Sequence, residues 1–333
     1  MRSSFVLGLL LACVLAASAA AGATYPFAVT TEPSAAGHRV LARNSGPAPV
    51  SVRLTLAAAD NVGSAQALPV YAVVRPYSEM FLLQVHPLDP GRGHRFTTQS
   101  TYRLGSILAV PDPRALYRLP FENGRSFVVS QAAGGPVTTH HGEESRYAVD
   151  FRMPENTPIV AARAGLVIET ESSYRLGGSD PALLAKANYV SILQADETIA
   201  TYGHLAFAGV RVSPGQQVQA GALIGYSGAT GYTSGAHLHF VVHQLVRAND
   251  GFARVSLPLR FYVGTPPRIF AARYRQLLTA DYAAADRMPQ AVGEAAEVPV
   301  EVRVVAARAL GHHRRRRAVD LEHALRDRGL GLL

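Results

Sequence analysis

Apolar and polar residues alternate along much of the chain, and that rhythm predicts strands rather than helices. Val50, Val52, Leu54 and Leu56 interleave with Ser51, Arg53 and Thr55, which puts four aliphatic side chains on one face of an extended segment. Residues 69–74 and 80–85 are further β-like runs, and Asn44-Ser45-Gly46-Pro47 and Asp89-Pro90-Gly91 supply the breaks. Short strands at this spacing predict a small immunoglobulin-like β-sandwich over residues 24–116. From residue 117 glycines become frequent and the runs lengthen: 147–151, 159–170, 189–193, 199–205, 222–226 and 238–245. They predict a second β unit over 117–264, with a loop at 176–181 and a short helix following it to Ala187. Beyond 264 the pattern weakens. Residues 267–285, with Phe270, Tyr274, Leu277 and Leu278 on one side, predict a helix, followed by a flexible basic tail to 333. The expected fold class is therefore mainly all-β.

The first 23 residues read as an address. Arg2 precedes an apolar run over 5–17, and small residues follow at Ala21-Gly22-Ala23, the three parts of a secretory signal peptide. The run is shorter than the roughly 20 residues that span a bilayer, with an uncleaved anchor as the alternative. Leu10-Leu11-Ala12-Cys13 suggests a lipid-attachment site, but apolar residues continue past the cysteine. The expectation is export to the periplasm, the cell envelope or the medium, with no transmembrane segment in the mature chain.

Composition then narrows the chemistry. With 48% hydrophobic and 17% charged residues the chain is not globally disordered. Cys13 is the only cysteine and lies in the leader, which excludes disulfides, thiolate zinc sites and iron–sulfur clusters from the mature protein. A metal would have to be held by carboxylates and some of the 12 histidines. The net charge of +8 is almost entirely arginine, since Lys186 is the only lysine. From residue 265 onward 12 arginines face 8 acids, so half the excess sits in the tail, around Arg314-Arg315-Arg316-Arg317 and the neighbouring His312 and His313. This reads as a solvated tail, or as a contact for anionic envelope polymers or lipid head groups. A nucleic-acid partner is not expected, because the chain is exported and its basic run lacks interleaved aromatics.

The candidate chemistry lies in His237-Leu238-His239-Phe240. On a strand, residues two apart share a face, so both imidazoles project together. A glycine-rich turn, Gly228-Ala229-Thr230-Gly231, precedes this pair. Tyr202-Gly203-His204-Leu205 ends an earlier run, Asp150 lies near the end of another, and His140-His141-Gly142 follows Gly134-Gly135. Catalytic zinc takes three protein ligands and keeps one open position. Two histidines and one carboxylate leave it a net +1, enough to acidify bound water and polarise a carbonyl. His38, His86 and His94 read as surface or packed residues.

Several motifs in one order carry a resemblance. They are Tyr147-Ala148-Val149-Asp150-Phe151 with Pro154, Thr157-Pro158-Ile159-Val160-Ala161-Ala162 running to Gly165, and Tyr202-Gly203-His204-Leu205. Val212-Ser213-Pro214-Gly215-Gln216 with Ala220-Gly221 follows, and then Gly228-Ala229-Thr230-Gly231 leading to His237-Leu238-His239-Phe240. Over about 130 residues, 117–245, the chain resembles the lysostaphin/LytM-type zinc metallopeptidases, which cleave peptide bonds in peptidoglycan. The resemblance implies Asp150 and His239 as zinc ligands and His204 and His237 as catalytic residues. It leaves the third ligand open. The commonest pattern is His-x-x-x-Asp, but Arg146 stands in the histidine place. An upstream His-x-Gly offers His140, with His141 as the alternative and no third ligand as another. His243 reads as a packed or hydrogen-bonded strand residue. The implied activity is an exported zinc endopeptidase acting on wall peptides, with one zinc per chain. The alternatives are an inactive relative that activates other wall hydrolases, and a wall-binding module.

Overall fold

The computed structural model describes residues 25–282. The signal peptide expected at 1–23 and the basic tail beyond 282 lie outside the described residues. Strands account for nearly all of the regular structure.

The first part of the chain contains β1 (Phe27–Ser34), β2 (Gly37–Asn44), β3 (Val50–Asp60), β4 (Val62–Ser64), β5 (Val70–Val74), β6 (Ser78–Pro87) and β7 (Arg95–Leu104). They form two sheets, β1-β2-β6-β4 and β5-β3-β7. Val40 and Ala42 from one sheet pack against Val52, Leu54 and Val74 from the other. The alternation in β3 is realised with one exception, Ser51, which is fully buried. Its hydroxyl donates to Gly105 O at 2.9 Å and accepts from Ile107 N at 3.0 Å, so the polar group inside is satisfied.

The second part is built on β8 (Ser126–Gln131), β9 (Val149–Arg152), β10 (Pro158–Val160), β11 (Gly165–Glu171), β12 (Gly177–Gly178), β13 (Asn188–Leu193), β14 (Ile199–Leu205) and β15 (Gln217–Val218). It continues through β16 (Leu223–Tyr226), β17 (Gly231–Tyr232), β18 (His237–Ala248), β19 (Gly251–Ser256), β20 (Phe261–Val263), β21 (Arg268–Phe270) and β22 (Leu277–Thr279). Nine of these strands make one sheet ordered β15-β11-β13-β14-β18-β9-β8-β22, with β19 also paired to β18. The long β18 is its spine. One edge pairs with β14, while the other pairs first with β9 and then with β19. Phe121, Phe151, Tyr202, Phe240 and Phe261 fill the core beneath, all fully buried.

Three sequence expectations need correction. The run at 159–170 is two strands, β10 and β11, which belong to different sheets. The helix expected over 267–285 is not present in its described part, which instead holds β21, a turn and β22. Leu277 and Leu278 are adjacent, which suits two faces of a strand as well as one side of a helix. The open edge of β8 decides between them, pairing Leu277 with Val128 and Leu278 with Phe127. Leu278, Ala280 and Tyr282 are buried in the main core, so residues to 282 are part of this unit and not an appendage to it. The short helix expected before Ala187 is a single 3-10 turn, Pro181–Leu183, capped by the Asp180 carboxylate, which accepts from Ala182 N at 2.9 Å.

Candidate metal centre

The sheet brings four of the sequence-predicted site residues together by register. His239 on β18 lies directly opposite Asp150 on β9 and opposite Gly203 on β14. His237, two residues earlier on the same face, stands opposite Arg152. His204 follows Gly203 and has φ +59°, in the left-handed region that a non-glycine residue seldom occupies. That backbone turns its ring off the strand direction towards the other histidines. The His204 ring centroid lies 4.6 Å from that of His237 and 5.9 Å from that of His239.

The fifth residue comes from a loop. His140 Nε2 lies 3.3 Å from Asp150 Oδ2, and its ring is 5.0 Å from that of His239. His141 is exposed and stands outside the cluster. Arg146, in the place where the commoner pattern has histidine, is exposed and pairs with Glu143 at 3.0 Å.

Each ring is oriented by a hydrogen bond. His239 Nδ1 and Asp150 Oδ1 are hydrogen-bonded at 2.9 Å, through a proton that a metal ion held by both groups would displace. The His204 Nδ1–H donates to Thr230 O at 2.7 Å, and the His237 Nδ1–H to Gly235 O at 2.8 Å. A carbonyl oxygen can only accept, so both rings carry their proton on Nδ1 and leave the Nε2 lone pair available. Both carbonyls belong to the glycine-rich segment before β18. Its Gly231 has φ +83°, and a Cβ there would sit 2.6 Å from Ala187 Cβ, so this position needs glycine on two counts.

The electrostatics favour a cation between these groups. Burial alone would raise the Asp150 carboxyl, but the hydrogen bonds from His140 and His239 outweigh it and hold the group well below the usual carboxylate range. Burial pushes the His204 imidazole down to about 3, with the neighbouring His237 and His239 adding to the effect. Burial likewise lowers His239. Asp150 is thus held ionised, and burial disfavours a second proton on His204 and His239, which suits a cation beside the carboxylate.

The donor set fits zinc. One atom from each of His140, Asp150 and His239 lies within 4.8 Å of the other two. Donors about 2.0–2.1 Å from a tetrahedral zinc stand roughly 3.3 Å apart, and each ring comes about that close to one carboxylate oxygen, His239 Nδ1 at 2.9 Å from Oδ1 and His140 Nε2 at 3.3 Å from Oδ2. His140 Nδ1 is moreover buried without a hydrogen-bond partner. No other group of this kind occurs among the described residues. His237, 3.7 Å from Asp150 Oδ2, and His204 stand beside this trio.

Sequence reasoning missed Gln131. It ends β8 opposite Asp150 and donates from Nε2 to Asp150 Oδ2 at 2.7 Å. No motif marks it, because its partner is 19 residues away and only strand pairing joins them.

His243, four residues beyond His239, is buried, and its Nε2–H donates to Glu144 O at 2.8 Å, pinning the far end of the loop that carries His140. Burial lowers this imidazole to about 3 from 6.5, with the Arg254 charge contributing. The unfolded chain thus takes up this proton below pH 6.5, while the folded chain resists until about 3. Its share of stability is complete above that window and is lost as pH falls through it, by up to about 1.4 kcal/mol per pH unit. In chelator-treated protein the urea midpoint should drop between about pH 7 and pH 4.5, and His243→Gln should make that drop shallower. An equally steep drop in the variant would contradict the assignment.

Comparison with known proteins matches residues 144–251 to Peptidase family M23. The chain is 37% identical over 107 residues to lysostaphin of Staphylococcus simulans, covering 32% of this chain and 20% of that protein. It is 34% identical over 104 residues to the peptidoglycan DD-endopeptidase ShyA of Vibrio cholerae, covering 31% of this chain and 20% of that protein. This chain thus spans about a fifth of the length of these relatives. Among solved structures, the catalytic domain of Staphylococcus simulans lysostaphin aligns at 29% identity, with a TM-score of 0.29 over 38% of this chain and 88% of that one.

Proposed function

With a lysostaphin/LytM-type domain of peptidase family M23 at residues 144–251 as the premise, we propose that the protein is an exported zinc endopeptidase that cleaves peptide bonds in bacterial peptidoglycan. The observation that carries this reading is the convergence of His140, Asp150 and His239, with His204 and His237 alongside.

His140, Asp150 and His239 would hold the metal. Bound there, zinc supplies a Lewis acid for the scissile carbonyl and lowers the pKa of a water molecule. The chain supplies the proton traffic. His204 and His237 are both tied at Nδ1 to backbone carbonyls, so each offers Nε2 as the atom that accepts a proton and gives it up to the leaving amine. A protonated ring so placed would also donate to the oxygen that gains charge as the carbonyl becomes tetrahedral. His204 is almost wholly enclosed, whereas the His237 side chain is 14% exposed, so His237 stands nearer the opening through which a substrate arrives.

Around this centre the reading assigns residues 1–23 to a signal peptide and residues 24–116 to an immunoglobulin-like accessory unit. The basic tail would contact anionic envelope polymers. A role as an inactive activator of other hydrolases is not favoured, because a complete set of ligating and proton-carrying groups converges here.

The test is digestion of purified peptidoglycan of several bridge types. The zinc-loaded protein should release fragments with new amino termini, chelator should stop the release, and added zinc should restore it. Zinc-free protein that releases nothing but stimulates a partner hydrolase would sink the reading. The masses of the fragments identify the bond.

A further inference from the structure

The loop position of His140 sets a physical problem. A ligand on a strand is aimed by ladder hydrogen bonds, but His140 lies between β8 and β9 in a segment without strand pairing. With Arg146 in the strand-proximal place, the loop must be aimed by something else.

One side chain spans the gap. The register of β8 against β9 shifts between Val129 and Gln131, and this irregularity sets Gln131 directly opposite Asp150. From there Gln131 Nε2 donates to Asp150 Oδ2 at 2.7 Å. Its Oε1 accepts from the backbone N–H of Thr139 at 2.6 Å and from the Thr139 hydroxyl at 3.3 Å. Thr139 immediately precedes His140, whose own N–H donates to the Thr138 hydroxyl at 3.0 Å. The amide orientation follows from its partners: an ionised carboxylate demands a donor, and a backbone N–H demands an acceptor.

We propose that Gln131 is the positioning residue of the metal centre, its one amide holding Asp150 and the His140 loop in mutual register. The role rests on the zinc peptidase reading above and extends it. Asp150 Oδ1 is held by His239 and Oδ2 by Gln131, so the carboxylate has no freedom to rotate before a cation arrives. Only a carboxamide presents a neutral donor and acceptor side by side. Glutamate keeps the acceptor for Thr139 but loses the donor and sets a second negative charge against Asp150. Methionine keeps the length and loses both.

The test measures zinc affinity by competition with a chromophoric chelator in wild type, Gln131→Met and Gln131→Glu. Outer-shell partners of metal ligands are typically worth about 10–100-fold in affinity, and Gln131→Met should fall in that range. The visible spectrum of the cobalt(II)-loaded variant should also change in intensity, reporting altered donor geometry. A residue with a merely structural role would lower the melting temperature of the metal-free protein and leave affinity and spectrum unchanged, and this result would overturn the proposal. If Gln131→Met does not fold, Gln131→Glu, which retains the loop contact, carries the same comparison. Wild type that binds zinc no more tightly than the variants overturns the positioning role alone. Wild type that binds no zinc overturns the peptidase reading and this role with it.

Discussion

Asp150→Ala should abolish zinc uptake and, with it, the release of wall peptides. The carboxylate is fully buried, with His239 Nδ1 at 2.9 Å, His140 Nε2 at 3.3 Å and Gln131 Nε2 at 2.7 Å around it. Removing it takes away the one negative charge in a cluster of imidazoles, so a divalent cation would enter a site of no net charge. Outer-shell changes already cost about 10–100-fold in affinity, and loss of a ligand should exceed that range. The buried partners left without an acceptor should also lower the stability of the metal-free protein, by about 1–3 kcal/mol. His239→Ala should behave in the same way. His141→Ala is the contrast: its side chain is exposed outside the cluster, so zinc content and hydrolysis should match wild type. Metal analysis after dialysis, paired with fragment release, reads all three. Full zinc occupancy in Asp150→Ala would remove it from the ligand set.

The second large effect is kinetic rather than one of binding. His204→Asn should keep zinc and lose turnover, with kcat down about 10²–10⁴-fold, the usual worth of a positioned proton carrier. Asparagine is the informative choice because residue 204 has φ +59°, and asparagine, like histidine, tolerates that region better than most residues. Alanine would mix lost chemistry with backbone strain. KM should change little, since the enclosed His204 has little surface to offer a substrate. A variant that loses zinc along with activity would place His204 among the ligands and not beside them.

The origin of each of these residues differs in how far the chain order reveals it. His237 and His239 are two apart on a strand, and a period of two is a local property, so their shared face is legible without coordinates. Asp150 and His204 stand in short motifs whose order carries a family resemblance, although only pairing of β9 and β14 with β18 shows that they meet His239. His140 was one of three possibilities, because loop conformation does not follow from periodicity. Gln131 was invisible, since neither its neighbours nor its spacing distinguishes it from any polar residue at a strand end.

The error over 267–285 has the same cause. Adjacent Leu277 and Leu278 fit two local patterns, and the choice between them came from an unpaired edge on β8, formed by residues about 150 positions earlier. Ser51 is a smaller instance: alternation puts it on the polar face, yet Gly105 and Ile107 give it partners and let it be buried.

The sequence by itself determined that the protein is built of strands, that a metal must rest on histidine and carboxylate, and which four residues of the centre to suspect. The first two are consequences of side-chain period and donor chemistry, which are local, and the four residues are what the resemblance carried by short local motifs implies. Only the tertiary structure decided that His140 and not His141 faces Asp150, that Gln131 ties the loop to the carboxylate, and that residues 265–282 complete the core. Each of these depends on hydrogen bonds between segments far apart in the chain, whose geometry is set by sheet register and burial.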